Sequence, residues 1–458
     1  MNSFMIAFGL ASIMLCIGTF LRAKIPFLRN MLVPASVIAG ILGFILMNLL
    51  AHFDINIGTD SVMYTDIVNH LFTISFISIS LTSSDSGEGG SGKQIFKGAL
   101  GMGTVWCLLY ALTPLVGMGL IAGLGKFFNM DPIYGSMIQY GFAQGPGQAA
   151  SYGALYESYG WENAAMVGLA FAAIGFIVAF LVGIPAAKMG INRGIAKNCG
   201  KIDHSILKGY LQKSEQTNYM VKDTTVNSNI ETLTFHFALI GLCYIGAIGV
   251  AKVFSLLPGF LGTSFSGLMF MNGMIAAYIV KFIMKKLKLD FLQENVLQSK
   301  ITGWTADYLV VCAFMAVGFS VIGDWIIPIL VEAAIVTVIT FSVCFYFGQR
   351  FGGSNDFERT LGLYGTSTGT VPSGISLIRI IDPEFKTNTA VELGLMNIIM
   401  FLSTPVYILL LAMASKTISL PITMGGLAVC CIVYLIILKL SKCWGKKTYS
   451  REKNKARP

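Results

Sequence analysis

Charge is scarce along this chain: Asp, Glu, Lys and Arg make up 12% of its 458 residues, against 55% hydrophobic. A soluble protein of this size needs a far more charged surface, so the composition is that of a polytopic membrane protein. Histidine is equally sparse, and His52, His70, His204 and His236 stand at no metal-ligand spacing. The nine cysteines include no CxxC pair, and Cys16, Cys107, Cys243, Cys312 and Cys344 lie in apolar runs. They read as packing thiols, with neither a disulfide framework nor a metal, and no cofactor is expected. A nucleotide motif is also missing. "GEGGSGKQ", Gly87 to Gln94, approaches GxxxxGK[ST], but Gln94 replaces the hydroxyl residue that would hold Mg²⁺, and an apolar membrane segment rather than a strand precedes it. A flexible Gly/Ser loop accounts for it, and an ATP-driven pump is set aside. No nucleophile, base and orienting residue stand at recognisable spacing, so an enzyme is not expected.

What the chain has in abundance is apolar runs near the ~20 residues an α-helix needs to cross about 30 Å of hydrocarbon. Spans are expected near 4–21, 31–50, 68–83, 97–124, 163–187, 233–254, 265–282, 308–323, 325–347, 388–413 and 419–440. The first run carries its basic residues, Arg22, Lys24 and Arg29, after it rather than before it, so it is expected to be a retained span rather than a signal peptide. With the N-terminus outside, every Lys and Arg except Lys126, Lys252 and Lys416 falls in a cytoplasmic segment. The formal charge of +9 therefore reflects topology and contact with anionic lipid, not nucleic-acid binding. The C-terminal "KLSKCWGKKTYSREKNKARP" reads as a basic juxtamembrane anchor on the cytoplasmic side.

Two segments break the helical pattern. "QYGFAQGPGQAASYGALYESYG" is too polar and glycine-rich for an ordinary span, and Ile133 to Tyr156, folded at its Gly-Pro centre, gives arms of about 16 Å, too short to cross. It must enter and leave on one face, as a re-entrant hairpin at 133–156. "YGTSTGTVPSG" repeats the pattern: Tyr140-Gly141-x-x-x-Gly145 and Tyr364-Gly365-x-x-x-Gly369 share YGxxxG, and each precedes a long apolar helix. The second hairpin is expected at 360–380.

The chain thus reads as an all-α fold of two five-span halves, 1–187 and 232–413, each with a hairpin before its fifth span. Five is odd, so the second half is inverted. A polar linker at 188–231 joins them, and 414–458 adds a further helix and the basic tail. Inverted repeats with broken backbone near the midplane are the architecture of secondary transporters.

Irregular backbone at membrane depth must face protein, water or a ligand. The inward helix N-terminus of each second arm can hold a carboxylate, and unwound carbonyls with nearby hydroxyls make hard oxygen sites for sodium. The candidate binding residues are Gln144, Gly145, Gly147, Gln148 and Ser151 in the first hairpin. In the second they are Thr366, Ser367, Thr368, Gly369, Thr370 and Ser373. The same small residues also serve close packing, and Ser or Thr often bonds only its own helix. Ionisable residues in or near apolar runs form a further group: Glu332, Glu392 and Asp307. Glu332 is a candidate for binding a proton or cation, Glu392 for a site or a solvated helix end, and Arg379 for a substrate carboxylate or a surface bridge to Asp382 and Glu384.

With both hairpins placed, the sequence resembles the bacterial sodium/glutamate symporter family from about Met1 to Ala414. The resemblance runs through "FLRNMLVPASVIAGILGF", through "YGWENAAMVGLAFAAIGFIVAFLVGIPAAK" and through "GTSTGTVPSG", where Gly365, Gly369 and Pro372 match the family's glycine, small-residue and Thr-Pro pattern. In the first hairpin Gln144-Gly145-Pro146-Gly147-Gln148 stands where the family usually shows Gly-Gly-His-Gly-Thr-Gly. The resemblance implies a bacterial inner-membrane protein, five-plus-five inverted halves, two re-entrant loops at the translocation site, sodium coupling and a homodimer. The reading is sodium-coupled symport of glutamate or a related small carboxylate by alternating access. The alternatives are a cation/proton antiporter with Glu332 as proton carrier, or a channel lined by the two hairpins.

Overall fold

A computed structural model describes residues 3–30, 33–82, 92–196, 224–226, 228–318, 323–382 and 386–449. Most of the expected Gly/Ser loop, the greater part of the linker, Glu384 and the end of the basic tail lie outside these described residues.

Among them the protein is helical throughout, without a strand. The first stretch contains α1 (Ser3–Lys24), α2 (Pro26–Asn30), α3 (Ala35–His52), α4 (Ser61–Leu81) and the long α5 (Gly92–Phe128). A 3-10 turn, Pro132–Ser136, leads into the short α6 (Met137–Gln144) and α7 (Pro146–Ser158), and α8 (Ala164–Asn192) follows. After the linker come α9 (Thr232–Phe254), α10 (Gly259–Gly267), α11 (Met269–Lys286), α12 (Asn295–Met315) and α13 (Ile326–Gly348). A second short pair, α14 (Asp356–Thr368) and α15 (Val371–Ile381), precedes α16 (Thr389–Ile399) and α17 (Thr404–Ala414), which a 3-10 turn separates, and α18 (Leu420–Leu440) ends the order. Glu231 caps α9: its carboxylate accepts from the Thr234 N–H at 2.9 Å, and this bond with that from Leu233 holds its pKa below the usual range.

Eight helices among the described residues are long and apolar enough to cross a membrane: α1, α3, α4, α5, α8, α9, α13 and α18, with α16 and α17 together a broken ninth. The helices α11 and α12 have the length of spans but carry more polar residues, among them Lys281, Lys285 and Lys286, and Gln298, Lys300 and Asp307. This accounts for the largest shift from the expected spans. The run expected at 308–323 belongs to a helix that already starts at Asn295, capped by Glu294. One face of its polar first half, with Leu297, Gln298, Ile301 and Thr305, is buried, and there Ser78 Oγ of α4 donates to the Gln298 carbonyl at 2.8 Å and to Gln298 Oε1 at 2.6 Å. Hydropathy registers a polar side chain but not the neighbouring helix that satisfies it.

The helices sort into two groups. One gathers α1, α3, α4, α9, α11 and α12. Small residues close it: Gly18 of α1 lies against Ala35 and Ala39, and Gly40 and Gly43 of α3 lie against Phe314 and Met315 of α12. The other group gathers α5 to α8 and α13 to α18 around the two short pairs. Its organising element is α8, whose Gly168, Gly175, Gly183 and Gly190 recur at seven- or eight-residue intervals and so form one stripe. Gly168 meets Met137 and Ala149 of the first pair, while Gly175, Gly183 and Gly190 meet Thr368, Leu377 and Phe357 of the second. One glycine stripe therefore carries both short helix pairs.

Between the groups the boundary is largely aromatic. The rings of Phe72 and Phe76 on α4 and Phe270 on α11 lie 4.7 to 5.4 Å apart, with Phe72 pressed on Gly147 of α7 and Tyr152 at 6.4 Å from Phe270. Ser151 Oγ donates across this boundary to Asn69 Oδ1 at 3.0 Å.

Candidate functional site

Each short pair is an antiparallel hairpin whose turn follows from its sequence. In the first, Gly145 has φ +79°, a conformation that disfavours any side chain, and Pro146 begins α7 where its missing N–H costs nothing. The returning arm stacks Tyr152 on Tyr140 at 4.3 Å and brings Tyr156 Oη to 3.3 Å from Ser136 Oγ. In the second hairpin Thr370 is extended, Pro372 lies in the first turn of α15, and Gly365 and Gly362 face Gly374 and Ile378 on the returning arm. The four arms are about 12, 20, 20 and 16 Å long at 1.5 Å per residue, each well short of a bilayer.

The two tips meet. A Cβ on Gly145 would collide with the Thr370 side chain and lie 3.4 Å from the Gly369 carbonyl oxygen. At this junction two helices end, α6 and α14, and two begin, α7 and α15. Helix ends leave carbonyls, and helix starts leave N–H groups, without intrahelical partners. The junction thus offers N–H dipoles for a carboxylate beside carbonyl oxygens for a cation.

Around the first tip Gln144 Nε2 donates to Tyr407 Oη, while Gln144 Oε1 is buried and has no hydrogen-bond partner among the described residues. Tyr407 Oη in turn donates to Gln148 Oε1 at 3.4 Å, so one tyrosine of α17 bridges two predicted site residues. Gly147 is buried under Phe72, and Ser151 faces the group boundary rather than the tip. In the second hairpin Thr366 and Thr368 donate to the carbonyls of Gly362 and Tyr364, both at 2.8 Å, bonds that use their protons and not their lone pairs. Ser367 is buried, and Ser373 packs beside Gly369, where a Cβ would stand 2.8 Å from the serine hydroxyl. The structure therefore brings Gln144, Gly145 and Gln148 together with Gly369 and Thr370. Ser373 stays beside Gly369 at the tip, while Ser151 and Thr366 sit further along the arms.

Sequence reasoning missed three features. The tyrosine cluster about the first hairpin joins Tyr110 of α5 and Tyr407 of α17 to Tyr140 and Tyr152, with ring centroids of 4.8 Å for Tyr110–Tyr407 and 5.3 Å for Tyr152–Tyr407. The glycine stripe of α8 was readable from its spacing. The third is a buried ion triad at the base of the second hairpin. Arg359 donates to both oxygens of Glu392, Nε at 2.7 Å and Nη2 at 2.5 Å, and through Nη1 to Asp356 at 3.0 Å. Glu392 is thus neither a solvated end nor part of the tip junction. Asp382 closes its own loop, accepting from Lys386 and Thr387, while Arg379 is exposed. Asp307 lies at the surface of α12.

Broken helices whose tips meet inside a multi-pass helical protein are a feature of secondary transporters, and the family match assigns this chain to that class rather than to the enzymes. The sodium/glutamate symporter family matches residues 3–387, and the chain belongs to that family. The matched stretch takes in both hairpins and stops before α16, α17 and α18, so Glu392 and Tyr407 lie beyond it. No individual curated protein matches the chain.

Proposed function

We propose that the protein imports glutamate or a related small carboxylate with sodium by alternating access, through a site at the junction of the two hairpin tips. The meeting of Gly145 with Gly369 and Thr370 is the observation that carries this reading. The N–H groups at the starts of α7 and α15 hold the carboxylate. Sodium takes the carbonyls that end α6 and α14, with hydroxyls of Thr366, Thr368 and Thr370 in support.

In this reading the hairpins are re-entrant and the halves 1–187 and 232–413 are inverted repeats. The order of three helices, a long helix, a hairpin and a closing helix, repeated on either side of the linker, supports it. The hairpin-bearing group moves against the other group over the aromatic boundary at Phe72 and Phe270. The group of α1, α3, α4, α9, α11 and α12 forms the scaffold and the contact of a homodimer, its exposed apolar side chains on α1 and α9 facing lipid or the second copy. The N-terminus is outside a bacterial inner membrane and the basic C-terminus is cytoplasmic.

The test is uptake of radiolabelled glutamate into proteoliposomes under inward sodium, potassium or proton gradients, with aspartate and other carboxylates as competitors. Saturable uptake that requires sodium is expected. Folded protein that takes up no glutamate under any gradient would overturn the substrate assignment.

A further inference from the structure

Glu332 sits on α13 away from the hairpin tips, fully buried, and neither carboxylate oxygen has a hydrogen-bond partner among the described residues. It presses on Gly117 of α5, where a Cβ would collide both with Glu332 Oε1 and with the carbonyl oxygen of Gly135 at the root of the first hairpin. A carboxylate oxygen and a carbonyl oxygen are both acceptors, and side by side they repel unless something positive lies with them. Nearby by helical spacing, Thr113 stands one turn before Gly117, and Gln139 about one turn after Gly135. Thr113 Oγ1 and both polar atoms of the Gln139 side chain are likewise buried without partners.

Compensation from ordinary charge is distant. Between Lys97 and Lys126 the ionisable side chains of α5 are Cys107 and Tyr110. Helix α8 contributes Lys188, near its far end. On α14, Tyr364 is neutral, and Asp356, Glu358 and Arg359 lie at the end that meets α13 near Gly348, about 24 Å along the helix from Glu332. At the other end Asp131, Tyr134 and Asp324 occupy the turns. A bare carboxylate buried in this way is costly enough that it must be neutralised.

We propose that Glu332 is a second cation site, taking a proton or a sodium ion between its carboxylate and the Gly135 carbonyl, with the Gln139 amide oxygen and the Thr113 hydroxyl completing the oxygen set. The site couples cation binding to the root of the first hairpin rather than to its tip. It rests on the transport reading but is separable from it, because cation binding can be measured without substrate.

The experiment uses the full chain, wild type and Glu332→Gln, with two readouts. One is thermal stabilisation of the purified protein by sodium against choline. The other is glutamate uptake into proteoliposomes, titrated with sodium at several external pH values. If sodium occupies the site, Glu332→Gln raises the sodium needed for half-maximal stabilisation and uptake about tenfold and lowers the cooperativity. If a proton occupies it, the sodium titration stays as in wild type and the dependence of uptake on external pH disappears. Sodium and pH curves that both match wild type overturn the proposal. Should Glu332→Gln fail to fold, Gln139→Leu and Thr113→Val carry the same test, and unchanged curves in both overturn it. Wild-type protein that binds sodium through Glu332 but transports no glutamate would sink the transport reading and leave the site standing.

Discussion

The two hairpins share a YGxxxG tip and differ in how they are held. The first is held mainly by uncharged side chains: stacked tyrosines, two glutamine amides on one tyrosine hydroxyl, and hydrogen bonds such as Trp161 Nε1 to the Ala414 carbonyl at 2.7 Å and Tyr134 Oη to the Glu162 carbonyl at 2.8 Å, with the carboxylates of Asp131 and Glu157 capping backbone N–H groups at its base. The second satisfies the hydroxyls of Thr360, Thr366 and Thr368 within its own arm and is fastened at its base by charge. There Asp356 accepts from Arg359 and from the N–H groups of Gly352 and Gly353 at 2.9 and 3.0 Å, while Arg359 grips Glu392. Neutral contacts between rings and amides tolerate small displacements. Buried ion pairs demand one geometry and are expensive to break. The comparison makes the second hairpin the fixed side of the junction and the first the compliant side, which also faces the aromatic boundary.

The sharpest way to break this comparison is at the tips. Gly145→Ala puts a side chain at φ +79° and into Thr370, so sodium-driven uptake is expected to fall about a hundredfold while the protein still elutes as a folded species. Gly369→Ala meets chiefly the Ser373 side chain at 2.8 to 3.1 Å, with φ −145°, and is expected to cost much less. Equal losses in the two variants would show that backbone strain at Gly145 is not what sets the tip.

Next in size is the ion triad. Arg359→Ala leaves Glu392 and Asp356 buried without their cation and is expected to destabilise the protein by about 3–5 kcal/mol, read as a lowered melting temperature in detergent. Replacing Arg359 and Glu392 together with Met should recover much of that loss. At the first hairpin, Trp161→Phe removes one hydrogen bond and is expected to cost about 1 kcal/mol. If Trp161→Phe proves as damaging as Arg359→Ala, the contrast between an ion-paired base and one held mainly by uncharged side chains fails.

Much of this architecture was legible in the chain, for identifiable reasons. Most spans could be read because hydropathy reports lipid-facing helices directly, and the hairpins because glycine and proline fix local backbone. The tip-to-tip contact of Gly145 with Thr370 could be anticipated only as a consequence of repeated segments, since nothing local in either names its partner. Tyr407 and Glu392 were beyond such reading. Their roles arise from α16 and α17 packing on elements some 30 to 260 residues away in sequence, and a tyrosine or glutamate in an apolar run looks the same with or without a partner. Tyr407→Phe tests the first of these. Losing the hydroxyl that joins Gln144 and Gln148 is expected to raise the KM for substrate severalfold while costing about 1 kcal/mol of stability.

The smallest effect concerns a strap found at the second hairpin. After α18 the chain turns back, Gly445 N–H donating to the Arg350 carbonyl at 2.9 Å and Thr448 N–H to the Gln349 carbonyl at 2.8 Å. Thr448 Oγ1 then donates to Asp356 at 2.8 Å, and Tyr449 sets its ring edge-on to Phe357 and its hydroxyl 2.6 Å from Thr360 Oγ1. The strap thus touches the triad through Asp356, and it lies in the stretch beyond the family match. Thr448→Ala and Tyr449→Phe are each expected to cost about 1 kcal/mol. The informative quantity is their coupling to Arg359→Ala. If the strap is a surface tether, the losses add. If it orients Asp356 for Arg359, the Thr448→Ala loss shrinks once Arg359 is gone, by a coupling on the order of 0.5 kcal/mol or more. Additivity for both would confine the charged lock to the triad itself and leave the strap a passive cover over it.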